Sequence, residues 1–275
     1  MLFLLFIYSC QSQMFTLIIE TDKGNTLTWF NSTSMNYGPH IATLSNWDYI
    51  LDQCSYNLGK AYFVSYNNNF DRFFNEINCV TGEELYRNRT LAHKLIFNKN
   101  ELFCTTIIPG HYTIAQIINN SFIIKYVFPS EYSLIGSFNY FPNFEEYVVS
   151  FKYSSGTIFV LSNWKVVYSI SLPDKYDVSD VPLRNKYNMT VLAYNRELEV
   201  TQLLIVNLQS KNYTVMITYG GVFAYDTYVD HSKSILYSVT NSNLGNKYYW
   251  IETDLNKMVT TKFQLLDYRI QCIVI

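Results

Sequence analysis

The middle of the chain reads Tyr147-Val-Val-Ser-Phe151, then Phe159-Val-Leu-Ser-Asn163 and Val166-Val-Tyr-Ser-Ile170. These three short segments are rich in β-branched and aromatic residues, which favour strands. Asn163 closes the second segment at a turn, since Asn side chains bond the local backbone and tolerate left-handed geometry. The stretch therefore predicts successive antiparallel strands joined by tight turns.

The same unit recurs along the whole chain in two independent registers. The first segment returns six times, with its third residue at Ile18, Phe63, Cys104, Val149, Ala193 and Tyr237, at intervals of 45, 41, 45, 44 and 44 residues. The second segment ends at Asn31, Asn78, Asn119, Asn163, Asn207 and Asp254, at intervals of 47, 41, 44, 44 and 47 residues. Agreement between the two series indicates a true structural repeat.

A period of about 40–45 residues made of several short strands is typical of a β-propeller. Each blade is a small sheet whose faces are buried only by neighbouring blades, so the array must close into a ring. Residues 13–275 divided by six give about 44 residues a blade. The prediction is an all-β, six-bladed propeller forming one domain over 13–275. Seven blades, or tandem β-sandwiches with a boundary near 100–140, are the alternatives, but the register crosses that boundary.

The two ends of the chain indicate how the ring closes. The first repeat starts at Met14 without an innermost strand, and the chain ends in an extra strand-like segment, Tyr268-Arg-Ile-Gln-Cys-Ile-Val-Ile275. We expect this segment to complete the first blade, because such an overlap leaves no exposed sheet edge.

One turn resembles a known family of propeller repeats. Residues 75–86 read Asn-Glu-Ile-Asn-Cys-Val-Thr-Gly-Glu-Glu-Leu-Tyr, and the Thr81-Gly82 pair is the specific part. The segment resembles the repeats of PQQ-type, quinoprotein-dehydrogenase-like propellers, which read roughly apolar-Asp-x-x-Thr-Gly-x-x-x-Trp. The resemblance implies the fold alone. In the quinone-binding enzymes the cofactor lies against an adjacent Cys-Cys disulfide, and this chain has no Cys-Cys pair.

Composition and the N-terminus bear on the compartment. The formal net charge of −2 argues against a polybasic nucleic-acid binder. The apolar run Leu2–Tyr8, followed by small residues, predicts a signal peptide over residues 1–12. No later stretch of 18 apolar residues is present, so we expect no membrane span. The sequence thus predicts a secreted protein, with an ordinary buried first strand as the alternative for the leader.

Sequons and cysteines fit that compartment. Acceptor triplets for N-glycosylation lie at Asn31, Asn88, Asn119, Asn188 and Asn212.

Cleavage of the leader would leave four cysteines, Cys54, Cys79, Cys104 and Cys272, which allow three fully paired connectivities. Buried thiols, one bridge or two bridges all remain open. No Cys-x-x-Cys spacing points to zinc.

The search for chemistry concentrates on loops around the expected channel, at the end where second strands turn into third strands and blades join. Charged and histidine candidates there are Asp71, Arg72, Arg89, His93, His111, Asp174, Asp177, Asp180, Arg196, Glu197 and Glu199. Asp174, Asp177 and Asp180 are expected to share one solvated polar loop. The histidines, His40, His93, His111 and His231, show no metal-ligand spacing. Tyr132, Tyr225 and Tyr228 near blade connections are candidates for partner or sugar contacts, although most tyrosines should pack between blades.

No catalytic motif stands out, so the sequence favours a non-catalytic module that binds an extracellular protein or glycan, with no cofactor. One alternative is a metal-dependent hydrolase resembling six-bladed lactonases, which requires a divalent cation in the channel held by carboxylates from several blades. The other is a carbohydrate-binding propeller, which requires aromatic residues repeated at equivalent blade positions.

Overall fold

A computed structural model describes residues 14–44, 49–119, 121–132, 134–152, 156–242 and 247–274. The predicted signal peptide, residues 1–12, lies outside this part of the chain. All regular elements of the described residues are strands, so none of these residues forms a helix long and apolar enough to cross a membrane.

The described residues form twenty-four strands, which make up six four-stranded antiparallel sheets. The first three blades contain β1 (Met14–Thr21), β2 (Gly24–Asn31), β3 (Asn36–Thr43), β4 (Tyr49–Asn57), β5 (Lys60–Tyr66), β6 (Arg72–Asn78), β7 (Glu84–Arg89), β8 (Ala92–Asn98), β9 (Glu101–Ile108), β10 (His111–Ile118) and β11 (Ser121–Val127). The last three contain β12 (Ile135–Phe141), β13 (Glu146–Phe151), β14 (Thr157–Ser162), β15 (Lys165–Ser171), β16 (Tyr176–Arg184), β17 (Asn188–Asn195), β18 (Val200–Asn207), β19 (Tyr213–Tyr219), β20 (Val222–Asp230), β21 (Ile235–Ser242), β22 (Tyr248–Asp254) and β23 (Val259–Leu266).

The final strand, β24 (Arg269–Val274), closes the ring. It pairs antiparallel with β1, so blade 1 has the order β24-β1-β2-β3 and contains both ends of the described chain. In the other blades the order follows the sequence, with β4, β8, β12, β16 and β20 innermost. The predicted six-bladed propeller and its closure by overlapping terminal strands are both confirmed.

The core is distributed between the blades. The buried apolar side chains of the described residues form six clusters, and each cluster joins one pair of neighbouring blades. Between blades 6 and 1, for example, Phe15 lies edge-on to Tyr237 and Trp250, with ring centroids 4.9 and 5.1 Å apart. Such edge-to-face contacts stabilise packed aromatic rings beyond their buried area. This arrangement explains why a β-rich chain uses so many aromatic residues.

The turn-forming Asn and Asp residues act in the two ways that their chemistry predicts. The side-chain oxygens of Asn31, Asn78, Asn207 and Asp254 each accept hydrogen bonds from the two backbone N–H groups two and three residues later. Asn119 and Asn163 instead adopt left-handed backbone angles, each with φ of 48°. The third strand of every blade therefore ends at a residue suited to a tight turn.

Candidate functional site in the central channel

The innermost strands carry polar residues at equivalent bulges facing the channel. The pairing of β8, β12, β16 and β20 with their neighbours shifts register near Lys94, Ser137, Asp180 and Asp226. All four residues are at most 7% exposed, and together they line a cavity of about 20 Å³. A β-bulge adds one residue to a strand and redirects a side chain, which explains how buried polar groups recur in an apolar ring.

Asp180 and Asp226 use their carboxylates in the same way. Asp180 Oδ1 accepts from its neighbour Val181 N at 2.7 Å, and Asp226 Oδ1 accepts from its neighbour Thr227 N at 3.0 Å. The second oxygen reaches the next blade in each case. Asp180 Oδ2 accepts from the Thr227 hydroxyl of blade 6, and Asp226 Oδ2 accepts from Ile273 N of blade 1 at 2.6 Å. The two carboxylates therefore tie consecutive innermost strands together.

The environment of Asp226 favours its neutral form. Burial raises the pKa of Asp226 to about 8, in spite of the two backbone N–H donors, and the nearby Asp180 raises it further. The positive charge of Lys94 opposes this effect but does not outweigh it. Burial dominates because removing a carboxylate from water disfavours the charged form.

The channel widens into a mouth of about 630 Å³ at the end where the innermost strands finish. All six blades contribute to its lining, with Ile273, Tyr56, Ile96, Tyr140, Pro182 and Tyr228 as representatives of blades 1 to 6. Asp180 and Thr227 line both the mouth and the small inner cavity. At the rim, Asp230, His231 and Ser232 come from the turn after β20. The mouth combines aromatic walls with a polar floor, as ligand sites commonly do.

The mouth lies at the opposite end from the loops that the sequence analysis favoured. The turns after second strands and between blades belong to the other end of the ring, whereas the mouth forms at the ends of innermost strands and the turn after β20. Which end binds a ligand stays a prediction, because the favoured end has a cavity of its own, of about 450 Å³, whose lining includes Asp71, Arg72 and Arg89. The lining of the mouth consists largely of aromatic and uncharged side chains on strands.

The predicted polar loop of three aspartates is wrong. Asp174 is exposed before the strand, but Asp177 and Asp180 lie within β16 and are 9% and 7% exposed. Asp177 Oδ2 is 3.6 Å from Arg196 Nε, while Asp180 faces the channel. The side chains of a strand point alternately to opposite faces, and a bulge shifts that alternation, so equal spacing does not bring the three carboxylates together.

The other charged candidates form separate groups at the end opposite to the mouth. In blade 2, Arg89 Nη2 lies 3.1 Å from Asp71 Oδ2, and Arg72 Nη1 lies 2.5 Å from Nε2 of His93 in blade 3. In blade 5, Lys175 and Glu197 are 3.8 Å apart beside Arg196, while Glu199 takes a left-handed backbone angle in the same turn. These groups pair with one another at the surface rather than converging on the channel.

The remaining histidine and tyrosine candidates divide between packing and the mouth. His111 Nδ1 lies 3.1 Å from the carbonyl oxygen of Phe128, and His40 is exposed on β3. Tyr132 packs between Phe151 and Phe159. By contrast, His231 and Tyr228 line the mouth. Tyr225 lies on β20.

Of the four cysteines among the described residues, two form a disulfide and two are free thiols. Cys54 and Cys272 form a disulfide with Cα atoms 5.8 Å apart, joining the innermost strands of blades 2 and 1. Cys79 and Cys104 are buried free thiols in the interfaces of blades 1–2 and 2–3. Burial raises the pKa of both thiols, that of Cys79 to about 11, so neither is a reactive thiolate.

The acceptor asparagines occupy strand ends and turns. Asn88, Asn119 and Asn212 are exposed, whereas Asn31 and Asn188 are half-buried. The amide of Asn207 also donates to Asn188 Oδ1 at 3.1 Å. Glycosylation at these five positions stays a prediction. Within the described ranges no three His, Cys, Asp or Glu side chains are grouped closely enough to hold a metal ion.

No family model and no curated protein sequence matches the chain. Solved propeller structures do resemble it. TolB from Acinetobacter baumannii superposes with a TM-score of 0.62 at 10% identity, over 94% of this chain and 66% of that one. The periplasmic gluconolactonase PpgL of Pseudomonas aeruginosa superposes with a TM-score of 0.55 at 10% identity, over 94% of this chain and 99% of that one. The WD40 β-propeller domain of Doa1 superposes with a TM-score of 0.58 at 11% identity, over 92% of this chain and 78% of that one. The chain thus spans just under two thirds of TolB. These likenesses show the fold alone and confirm the propeller resemblance at that level.

Proposed function

We propose that the protein is a secreted, N-glycosylated propeller that works as a non-catalytic binding module, and that a segment of an extracellular protein inserts into the channel mouth. The observation that carries the proposal is the mouth itself, a cavity of about 630 Å³ to which all six blades contribute. Tyr56 is 46% exposed there, and tyrosines are frequent anchors of protein interfaces.

The state of the channel carboxylates supports a binding role over catalysis. In Asp180 and in Asp226 one carboxylate oxygen accepts from the next residue of the same strand and the other accepts from a donor in the next blade. Carboxylates used in this way tie neighbouring innermost strands together, so their contacts give both residues a structural role in the ring.

The disulfide supports secretion. Bridges of this kind persist in oxidising compartments and are rare in the cytosol. Cys54 and Cys272 are far apart in the sequence and are brought together by ring closure. The predicted leader and sequons point to the same compartment.

Peptide selection tests the proposal without knowledge of the partner. Peptides from a displayed library that bind the protein should lose at least roughly tenfold in affinity on Tyr56→Ser, which removes one aromatic anchor. Tyr187→Ser is the matched control, because Tyr187 is 51% exposed in the turn after β16 at the same end but does not line the mouth. Selected peptides that bind Tyr56→Ser as well as the wild type would contradict the proposal.

A second measurement addresses the lactonase alternative. Elemental mass spectrometry of the dialysed protein should find no stoichiometric divalent metal, and the protein should not hydrolyse gluconolactone. A retained metal together with hydrolysis that a chelator abolishes would overturn the non-catalytic assignment.

A further inference from the structure

A second cavity, of about 270 Å³, lies between blades 3 and 4 at the same end of the ring as the mouth. Tyr140 contributes to the lining of both spaces. We propose that this cavity, defined by Asn98, Glu101, Gln116, Tyr147 and Trp164, binds one neutral pyranose residue of a glycan. The site is independent of the proposed role of the mouth.

Its wall is an aromatic stack. The rings of Tyr147 and Trp164 lie 4.4 Å apart at an interplanar angle of 26°, and the ring of Phe103 lies 5.3 Å from each of them. Tyr147 is 5% exposed, whereas Trp164 is half-buried and completes the lining of the cavity. A rigid aromatic surface that is partly open to solvent is the kind on which the C–H face of a sugar packs.

The propeller architecture does not require a large aromatic side chain at position 164. Trp164 follows the turn residue Asn163 and has a left-handed φ of 59°, an unfavourable angle for a bulky residue. The five equivalent positions carry Ser32, Cys79, Asn120, Leu208 and Leu255. The tryptophan is thus peculiar to blade 4, and the turn that the blades share does not account for its size. The aromatic repetition expected of a carbohydrate-binding propeller is not what forms this site.

The polar groups of the cavity include one unused acceptor. Asn98 Nδ2 donates to the Tyr147 hydroxyl at 2.7 Å, but Asn98 Oδ1 is buried and has no hydrogen-bond partner among the described residues. A buried acceptor without a donor is costly and therefore rare. We expect the Asn98 amide to rotate on binding, so that this acceptor meets a ligand hydroxyl.

Directly beside Asn98, across the β8–β9 hairpin, the cavity offers a charge-assisted pair. Gln116 Nε2 donates to Glu101 Oε1 at 2.8 Å, which fixes the exposed carboxylate at the cavity rim. Sugar hydroxyls both donate and accept, so adjacent hydroxyls of one ring suit the neighbouring amide and carboxylate groups of Asn98 and Glu101. Lys99 and Lys125 balance Glu101 and Glu145 around the cavity, which favours a neutral ligand over a charged one. The volume lies just below the range of about 300–1,000 Å³ usual for larger ligands, and so suits a single sugar ring.

Saturation-transfer NMR with a panel of methyl pyranosides, those of glucose, galactose, mannose and N-acetylglucosamine, tests the proposal on the intact protein. At least one pyranoside should give a saturable signal with the wild type. Trp164→Ala should weaken that binding at least tenfold, since it removes the stacking surface. Glu101→Ala should weaken it several-fold by removing one charge-assisted hydrogen bond.

Two controls keep the result interpretable. Glu101 is exposed, so its replacement should lower the thermal unfolding midpoint only slightly, through the lost hydrogen bond from Gln116, even if Trp164→Ala proves unstable. Tyr56→Ser alters the channel mouth only, and should bind the sugar as the wild type does. The proposal is overturned if no pyranoside in the panel binds saturably, if both cavity variants bind normally, or if only Tyr56→Ser loses binding, which would assign the sugar to the mouth.

Discussion

Asp226 shows how one buried group couples the ring to pH. Its carboxyl is 4% exposed and bridges Thr227 N of its own strand and Ile273 N of the closing strand. Burial raises its pKa from 3.8 to about 8. The folded protein therefore holds a proton that the unfolded chain releases between those two values. Its contribution to the free energy of unfolding is complete below about pH 4 and is lost as the pH rises through about 8.

We expect Asp226→Asn to remove this pH dependence. Chemical denaturation from pH 4 to 8 should show the free-energy difference between wild type and variant falling by about 1.4 kcal/mol per pH unit. The variant should also be less stable than the wild type at low pH, because an amide cannot accept from both N–H groups. Parallel stability curves for the two proteins would contradict the assignment.

Asp230→Asn is the matched control at the rim. Burial tends to raise the pKa of Asp230, but hydrogen bonds from Ser232 and Lys233 outweigh it and leave the pKa below its ordinary value. Its stabilising effect is present above the ordinary pKa and is lost only as the pH falls through the lower folded value. Over pH 4 to 8 its replacement should shift the stability curve without changing the slope.

The polar residues of the channel were the least predictable part of the molecule. Asp180 and Asp226 are 46 residues apart, close to the blade period, and this spacing is a signal that they occupy equivalent positions. The regular spacing of Asp174, Asp177 and Asp180 was misleading. Asp174 is exposed in the turn before β16, and Asp177 is buried within β16 beside Arg196, away from the channel. The bulges that turn Asp180 and Asp226 toward the channel depend on tertiary packing, which local sequence patterns do not reveal.

The strands and their turns were predictable because the residue types that favour strands and tight turns recur at the same positions in each blade. Two series of anchors recovered the second and third strands of every blade, since apolar strands must end at residues that tolerate a tight turn. At the Thr81-Gly82 turn, glycine is required both by the backbone angle and by close packing against a neighbouring blade. Gly82 has a φ of +71°, and a Cβ at this position would lie 2.1 Å from the Cβ of Ala42 in blade 1.

We expect Gly82→Ala to destabilise the protein by more than the cost of the backbone angle alone. Gly110 has a similar φ of +80° but open space around it, so Gly110→Ala should cost only about 1–2 kcal/mol. The double variant Gly82→Ala with Ala42→Gly should recover much of the difference, because the obstructing atom belongs to the Ala42 side chain. Equal unfolding midpoints for Gly82→Ala and Gly110→Ala would show that the turn does not pack as described.

The whole molecule depends on how a ring of separate sheets is held closed. Each blade buries its faces only against its neighbours, so one opened interface exposes two apolar surfaces. The sequence predicted the overlap of terminal strands from the missing first strand and the extra last one. It did not select the cysteine pairing, since four cysteines allow several connectivities and only the closed ring brings Cys54 beside Cys272.

The disulfide should stabilise the folded protein by bonding the closing strand β24 covalently to blade 2. It joins β24 to β4 across a sequence separation of 218 residues, for which loop entropy predicts a stabilisation of about 5 kcal/mol. We expect Cys54→Ser with Cys272→Ser to lower the thermal unfolding midpoint, and a reducing agent to lower that of the wild type to the same level. Cys79→Ala with Cys104→Ala should keep the full response to reduction, because neither thiol is bridged. If reduction left the midpoint of the wild type unchanged, paired terminal strands and inter-blade packing alone would be closing the ring.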